Sequence, residues 1–246
     1  MLTRDTRQML AGLSETGRIM AELKRLAEDP EDGYLHVPLF ERMRDGRNDD
    51  AVKKWFLGPF AENRPWLPEM QGIFIARFFD HPYAHVVARN MAEEFGIELN
   101  AGEPKPSHSA LYRRLLDECG VSVLDGMTSI PIVQRSTGSR IFYDWFRERL
   151  ETQSAAYLLA LLWAYEIEGD KIDFPFFLTA AKRIWPGRTD LLQFFVEHAE
   201  TTHDIVFGAD LQPMFDEHGK EMVGAMCDLH ERYVQFYRAT SDEVVA

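Results

Sequence analysis

Apolar residues recur every three or four positions along most of the chain, which is the period of an amphipathic α-helix. The first such stripe includes Met9, Leu13, Ile19 and Leu23 and ends before the turn Asp29-Pro-Glu-Asp-Gly. This pattern predicts one helix at the start of the chain. Residues 51–70 combine aromatic residues with three prolines, which predicts short helices or irregular packing over an entrance to the core.

The same period continues through the middle of the chain. Residues 71–95 are predicted to form a long helix that is kinked at Asp80-His-Pro and stops at Gly96. The next helix is predicted to run from about Ser107 to Glu118, with Ser107 as its N-cap. His108 then lies in the first turn of that helix.

The second half of the chain is also helical in pattern. Residues 139–168 carry helical spacing that suggests one unusually long helix, and residues 175–184 and 190–206 form two further helices separated by Trp185-Pro-Gly. The last helix is predicted to span about 211–240.

The alternation of apolar and polar residues that is typical of β-strands is limited to two short stretches, 121–124 and 129–133, and the second contains a proline. The prediction is therefore an all-α, single-domain bundle of about seven helices over residues 1–246. Residues 1–70 are predicted to form peripheral N-terminal helices packed on the core.

Charge and composition narrow the class of protein. A formal net charge of −13 without a stripe of Lys and Arg argues against binding to nucleic acid. Two cysteines without CxxC spacing, Cys119 and Cys227, suit a reducing, cytoplasmic location. The longest apolar run, 155–165, is too short to cross a bilayer, and the N-terminus lacks the apolar core of a signal peptide. A soluble enzyme of small molecules, without a membrane partner, fits best, and a homodimer is compatible with the sequence.

Glu94 and His108 are candidate metal ligands. Glu94 ends one predicted helix and His108 opens the next, so a carboxylate and an imidazole can meet at one helix junction. The competing interpretation is that both are ordinary surface residues, as Glu and His at helix ends often are.

Glu166 and Glu168 end the most apolar helix. An unpaired, buried carboxylate is costly, so a core-facing Glu there needs a partner or an ion. Two positions on a helix differ by about 200°, which implies that only one faces the core. Glu166 is the favoured one, whereas the alternative is that the helix ends at the surface and both acids are solvated.

The segment 197–204 is the densest group of potential ligands. Residues three or four apart share a helix face, so Glu200 with His203 could bind one ion, and His198 adds a second imidazole. The alternative is a solvated polar face. Together with the other carboxylates, this mixed oxygen and nitrogen set suits non-haem iron or manganese more than zinc held by thiolates.

Three segments resemble the haem-oxygenase-like family, which includes the thiamin-salvage protein, the pyrroloquinoline-quinone synthase and the haem-oxygenase-like diiron oxidases. They are Phe78-Phe-Asp-His-Pro leading into Asn90-Met-Ala-Glu-Glu-Phe-Gly, then His108-Ser-Ala-Leu-Tyr-Arg-Arg-Leu-Leu, and Phe194-Phe-Val-Glu-His. The resemblance spans about residues 71–207 and is strongest to the diiron oxidases.

The resemblance implies a set of iron ligands. In the diiron oxidases a Glu, a following His, a mid-chain Glu and a His-x3-Asp-x2-His set hold two irons. Candidate ligands here match the first four of these positions: Glu94, His108, Glu166 or Glu168, and His198. The family pattern then has Asp and His where this chain has Thr202 and Ile205. A shifted register that uses Glu200 and His203 restores two ligands but places Val196 at the position of the first His.

These observations lead to one main hypothesis and two alternatives. The main hypothesis is a non-haem iron oxidase or oxygenase with one or two iron ions, which uses dioxygen for N-oxygenation, desaturation or oxidative C–C cleavage of a small metabolite. The second is a metal-free enzyme or binding protein of the same fold. The third is an all-α interaction protein, which predicts that Glu94, His108 and His198 lie far apart.

Overall fold

The fold is taken from a computed structural model that describes residues 2–13, 15–63, 67–97, 105–121, 136–200 and 203–245, with only the backbone described at 4, 63, 67–69, 93, 203–207 and 245. Every regular element in these ranges is helical. The α-helices are α1 (Arg4–Ala11), α2 (Thr16–Ala27), α3 (Pro38–Asp45), α4 (Asp49–Leu57), α5 (Leu67–Phe78), α6 (Ala84–Glu94), α7 (His108–Glu118), α8 (Thr137–Thr152), α9 (Ala155–Glu166), α10 (Phe174–Ile184), α11 (Thr189–Glu200) and α12 (His203–Val245), with a 3₁₀ turn at Ala61–Asn63 and a π-helix at Ile167–Asp173.

The central helix is α9. Its sequence is apolar on every side, and nearly all of its residues are buried, with α12 packed along it. Ser154 caps its N-terminus by accepting a hydrogen bond from the Tyr157 amide at 3.2 Å. A helix of this kind has protein around its whole circumference, so polar residues at its C-terminal end remain inside the molecule.

The π-helix Ile167–Asp173 continues directly from α9 and leads into α10. π-Helical turns are rare and frequently lie at functional sites. Here the segment carries three acidic residues, Glu168, Asp170 and Asp173, and all three are buried. Its position between two core helices is what brings these carboxylates into the interior.

The N-terminal helices share this core. Phe40 on α3 and Trp55 and Phe56 on α4 are fully buried in the same cluster as α9 and α12. The Trp55 indole donates a hydrogen bond to Thr240 Oγ1 at 3.0 Å. Helices α1 and α2 also pack along α12.

The structure confirms the predicted all-α bundle but divides it into more helices than the about seven expected. The predicted first helix is two, because Gly12 ends α1 and Glu15 is extended before α2. The predicted kink at Asp80-His-Pro is a full break between α5 and α6. The predicted helix over 139–168 breaks at Gln153, whose backbone is extended, and restarts after the Ser154 cap.

The helix that opens at Ser107 is confirmed, since Ser107 Oγ caps α7 and Gly120, with φ of +72°, follows it. Of the helix predicted over 190–206, α11 is described as far as Glu200, residues 201 and 202 lie outside the described residues, and the chain is helical again from His203. The last helix is longer than predicted, with one non-helical residue at His218. The short apolar stretches after Val121 lie outside the described residues. No helix among the described residues is both long and apolar enough to span a membrane.

Candidate metal centre

Glu94 and His108 meet at the junction between α6 and α7. Glu94 is the last residue of α6 and His108 is the first residue of α7, whose N-terminus is fixed by the Ser107 cap. The Nδ1 atom of His108 lies 3.1 Å from Glu94 Oε1, and the side chains are only 12% and 15% exposed. The predicted meeting of these two side chains at a helix junction is thus observed.

Gly96 allows this junction to form. Its φ of +74° is in the left-handed region that favours glycine. Its carbonyl accepts a hydrogen bond from the Lys105 amide at 2.9 Å, which closes the connection between the two helices. A Cβ atom at residue 96 would lie 2.1 Å from the Lys105 carbonyl oxygen, so the backbone approach requires glycine.

His198 reaches the same point from α11. Its Nδ1 atom lies 2.8 Å from the Phe194 carbonyl oxygen, so Nδ1 carries the proton and Nε2 is left as the metal-binding atom. The ring stacks on Phe174 at 4.2 Å with an interplanar angle of 16°, and it is 6% exposed. Its centroid is 4.2 Å from that of His108.

Glu94, His108 and His198 therefore converge. One potential ligand atom from each lies within 4.8 Å of the others, and among the described side chains this is the group of three that could hold a metal ion. A fourth side chain, Glu197, approaches from the outside, with its Oε2 3.6 Å from His108 Nε2. This convergence is the opposite of what the interaction-protein hypothesis predicted.

Comparison with known proteins supports the fold. No protein-family model and no curated protein matches the sequence. Two crystal structures of a CADD-like protein of unknown function from Nostoc punctiforme PCC 73102 do match the structure. One, at 2.00 Å resolution, has a TM-score of 0.70 and 15% identity over 94% of this chain and 99% of that chain. The other, at 1.35 Å, has a TM-score of 0.65 and 16% identity over 94% and 96%.

The chain has a CADD-like fold. At this level of identity the likeness concerns the fold alone, and the finer assignment to the haem-oxygenase-like diiron oxidases stays a prediction. Within this bundle the three convergent candidate ligands belong to α6, α7 and α11.

The two mid-chain glutamates are both buried, although only one was expected to face the core. Glu166 accepts a hydrogen bond from Asn90 Nδ2 at 3.0 Å and lines the same cavity as Glu94 and His198. Glu168 lies on the other side, with its Oε1 3.3 Å from His230 Nδ1 on α12. The expectation was wrong because protein surrounds this part of the chain on all sides.

Of the last two predicted ligands, only Glu200 has a described side chain, and it does not join the group. Glu200 is exposed at the end of α11. His203 begins α12, and its side chain lies outside the described residues, as do Thr202 and the side chain of Ile205. The structure therefore gives no support to a ligand role for Glu200 and leaves the shifted register a prediction.

A cavity of about 40 Å³ is lined by two of the three candidate ligands, Glu94 and His198. A water molecule needs about 10–15 Å³ of such space, so the cavity holds only a few atoms. Sequence reasoning missed two of its acidic residues, Asp170 and Asp173. Their spacing of four and seven positions from Glu166 was a signal for a shared helix face. The described lining residues are Phe60, Met70, Gln71, Asn90, Met91, Glu94, Phe142, Leu162, Tyr165, Glu166, Gly169, Asp170, Asp173, Phe174, Phe177, His198, Tyr233, Phe236 and Tyr237.

Asp173 connects the cavity to a cluster of buried tyrosines. The Tyr237 hydroxyl donates a hydrogen bond to Asp173 Oδ2, and the Tyr34 and Tyr233 rings lie 4.9 and 5.7 Å from that of Tyr237. Burial, reinforced by the charge of Glu168, raises the pKa of Asp173 well above its usual range despite the Tyr237 hydrogen bond. Burial also raises the pKa of all three tyrosines, so they stay neutral at physiological pH.

Proposed function

We propose that this protein is a non-haem iron-dependent oxidase or oxygenase that acts on a small metabolite with dioxygen. The observation that carries the proposal is the convergence of Glu94, His108 and His198 within 4.8 Å. One carboxylate and two imidazoles are the ligand set typical of non-haem iron(II) oxygenases with open coordination positions. The CADD-like fold and the sequence resemblance to haem-oxygenase-like diiron oxidases favour iron over other metals that accept these ligands.

Bound iron would supply the reaction with dioxygen, which side chains alone do not provide. The residues around it have their own roles. The Phe194 backbone carbonyl accepts a hydrogen bond from His198 Nδ1 and so orients the ring. Glu197 Oε2 lies 3.6 Å from His108 Nε2. Outer partners of this kind fix the tautomer of a ligating histidine and raise its basicity.

One firmly bound iron is the stoichiometry that the described residues favour. Glu166 lines the cavity but already accepts a hydrogen bond from Asn90 Nδ2. Glu200 is exposed, and Thr202 and Ile205 replace two ligands of the family pattern. We infer that a second ion, where it binds, is held more weakly.

One observation favours the metal-free alternative. His108 Nδ1 and Glu94 Oε1 are within hydrogen-bond distance, at 3.1 Å, and a histidine oriented by a carboxylate can act as a general base. Under this hypothesis the same residues would transfer protons on a bound substrate.

Iron content separates the two functions. Protein from iron-supplemented culture is analysed by mass spectrometry for metal, as wild type and as the variants His108→Ala and His198→Ala, with His85→Ala as the control because His85 is exposed and lies outside the site. We expect iron in the wild type and the control and its loss from both site variants, because Glu94 and the one remaining imidazole bind a labile ion too weakly. Unchanged iron in His108→Ala, with circular dichroism showing a folded protein, would exclude this site.

A further inference from the structure

Gln71 occupies a core position on α5 where the helical pattern calls for an apolar residue. It lies three and seven positions before Phe74 and Phe78, which are buried on the same face of the helix. Gln71 itself is only 5% exposed, whereas most glutamines lie at the protein surface. A buried amide is costly unless its polar atoms have partners, so its presence here indicates a function.

The Gln71 amide makes no hydrogen bond with the described part of the chain. Its polar atoms are not closed off from water, in contrast to Asn90 Oδ1. Gln71 lines the cavity together with Glu94 and His198, so a ligand in the cavity can reach the amide. Polar groups as deeply buried as this one nearly always have a partner, and the cavity is where that partner can bind.

The chemistry of the amide indicates the group that fits it. A glutamine side chain offers N–H donors and a carbonyl acceptor next to each other. An ammonium group would pair with the carbonyl and leave the donors unpaired, whereas a carboxylate would pair with the donors and leave the carbonyl unpaired. A second carboxamide pairs with both through two antiparallel N–H···O hydrogen bonds. This pairing is possible whichever way the Gln71 amide is turned.

The rest of the cavity suits the carbon next to such a group. Rings of Phe142, Phe174 and Phe177 line it, and no Lys or Arg is among its described lining residues, so a carboxylate would find no counter-charge there. The volume of about 40 Å³ suits about three or four non-hydrogen atoms, which is the size of a carboxamide with one carbon attached. The cavity therefore encloses one end of a larger molecule.

We propose that Gln71 is a substrate-recognition residue and that the substrate carries an uncharged carboxamide, which pairs with the Gln71 amide in this cavity. The proposal rests on the proposed function, since it names the substrate class of the same site. Gln71 is not one of the three convergent candidate ligands. Loss of its amide should therefore weaken carboxamide binding and leave the metal ligands in place.

The first test compares acetamide, acetate and ethylammonium on full-length protein stripped of metal, so that ligand binding is measured independently of iron. Saturation-transfer NMR titrations at matched ionic strength give the three dissociation constants. We expect acetamide to bind most tightly, since it alone pairs with both halves of the Gln71 amide. Equal or tighter binding of acetate or ethylammonium would overturn the proposal. Failure of acetamide to bind would show that water alone fills the cavity and would overturn it as well.

The second test replaces the residue. Gln71→Met keeps a flexible, unbranched side chain but lacks the amide, so the affinity for acetamide should fall by about tenfold or more. Gln8→Met, at an exposed glutamine, is the control and should keep the wild-type affinity. An unchanged acetamide affinity in Gln71→Met contradicts the proposal.

Thermal unfolding of the ligand-free proteins gives an independent measurement. An amide without a partner destabilises the ligand-free protein, so Gln71→Met should melt at the wild-type temperature or above it. A lower melting temperature would show that the amide is hydrogen-bonded within the protein and would overturn the proposal. Iron content separates this proposal from the metal function: iron retained in Gln71→Met with acetamide binding lost supports both, whereas wild type that binds acetamide but no iron supports the amide site and excludes the metal function alone.

Discussion

His108 lies between two carboxylates: its Nδ1 is 3.1 Å from Glu94 Oε1 and its Nε2 is 3.6 Å from Glu197 Oε2. Because Nδ1 is the nitrogen that faces Glu94, we infer that an ion held by Glu94 and His108 together would bind Nδ1. The outer nitrogen then carries the proton and points to Glu197. Glu197 is therefore a positioning residue for the proposed metal centre, and it is itself held by the Gln193 amide at 2.8 Å.

Glu197→Gln should weaken iron(II) binding by about 10–100-fold, as is typical for the loss of a partner that orients a ligating histidine. Glu200→Gln is the control, since Glu200 is on the same helix but exposed. Iron(II) affinity is measured by competition with a chelator under anaerobic conditions. Equal affinities of Glu197→Gln and wild type would show that Glu197 does not position His108.

Gly96→Ala should reduce metal binding without unfolding the protein. The added Cβ would lie 2.1 Å from the Lys105 carbonyl oxygen, so the connection that joins Glu94 to His108 must move. Gly120→Ala carries the same backbone strain, with φ of +72°, but its Cβ meets nothing within 4 Å. We expect the control to lose about 1 kcal/mol of stability from strain alone and to keep its iron. Equal iron content in the two variants contradicts the role assigned to Gly96.

Local signals accounted for the parts of the fold that could be predicted. Ser107 as a cap and Gly96 and Gly120 as helix ends were visible because capping depends on residues close in sequence. The break before α9 was missed although Ser154 precedes an apolar run, since helical spacing on both sides hid it. The π-helix at Ile167–Asp173 was not predicted, because the apolar spacing along the chain indicates an α-helix and π-helical turns are rare.

The candidate site was predicted in part for a similar reason. Glu94 and His108 are joined by one loop, so their meeting could be inferred from sequence. The third member of the cluster is His198, which was one of the predicted ligands. The mid-chain glutamate that was expected beside it, Glu166, instead accepts a hydrogen bond from Asn90. Which of several acids and imidazoles converge depends on how α11 packs against α7, and a single sequence contains no direct signal for that contact.

A second buried pair, outside the metal site, gives a pH-dependent prediction. His230 is fully buried, with Nδ1 3.3 Å from Glu168 Oε1 and Nε2 3.2 Å from the Asp32 carbonyl oxygen. Both neighbours are acceptors, so the ring satisfies them only when both nitrogens carry protons. Burial alone would lower the pKa of His230, but Glu168 and the Asp32 carbonyl raise it above the usual 6.5.

A raised histidine pKa makes the folded state bind a proton more tightly than the unfolded state. The resulting stabilisation is complete below pH 6.5, the unfolded value, and is lost as the pH rises through the folded value. His230→Gln removes this titration, so its free energy of unfolding should fall less steeply above pH 6.5 than that of the wild type. Urea unfolding over a series of buffers from about pH 6 to about pH 9 measures the two slopes. His36→Gln, at an exposed histidine, should keep the wild-type slope, and a His230→Gln slope equal to that of the wild type would show that His230 does not gain a proton on folding.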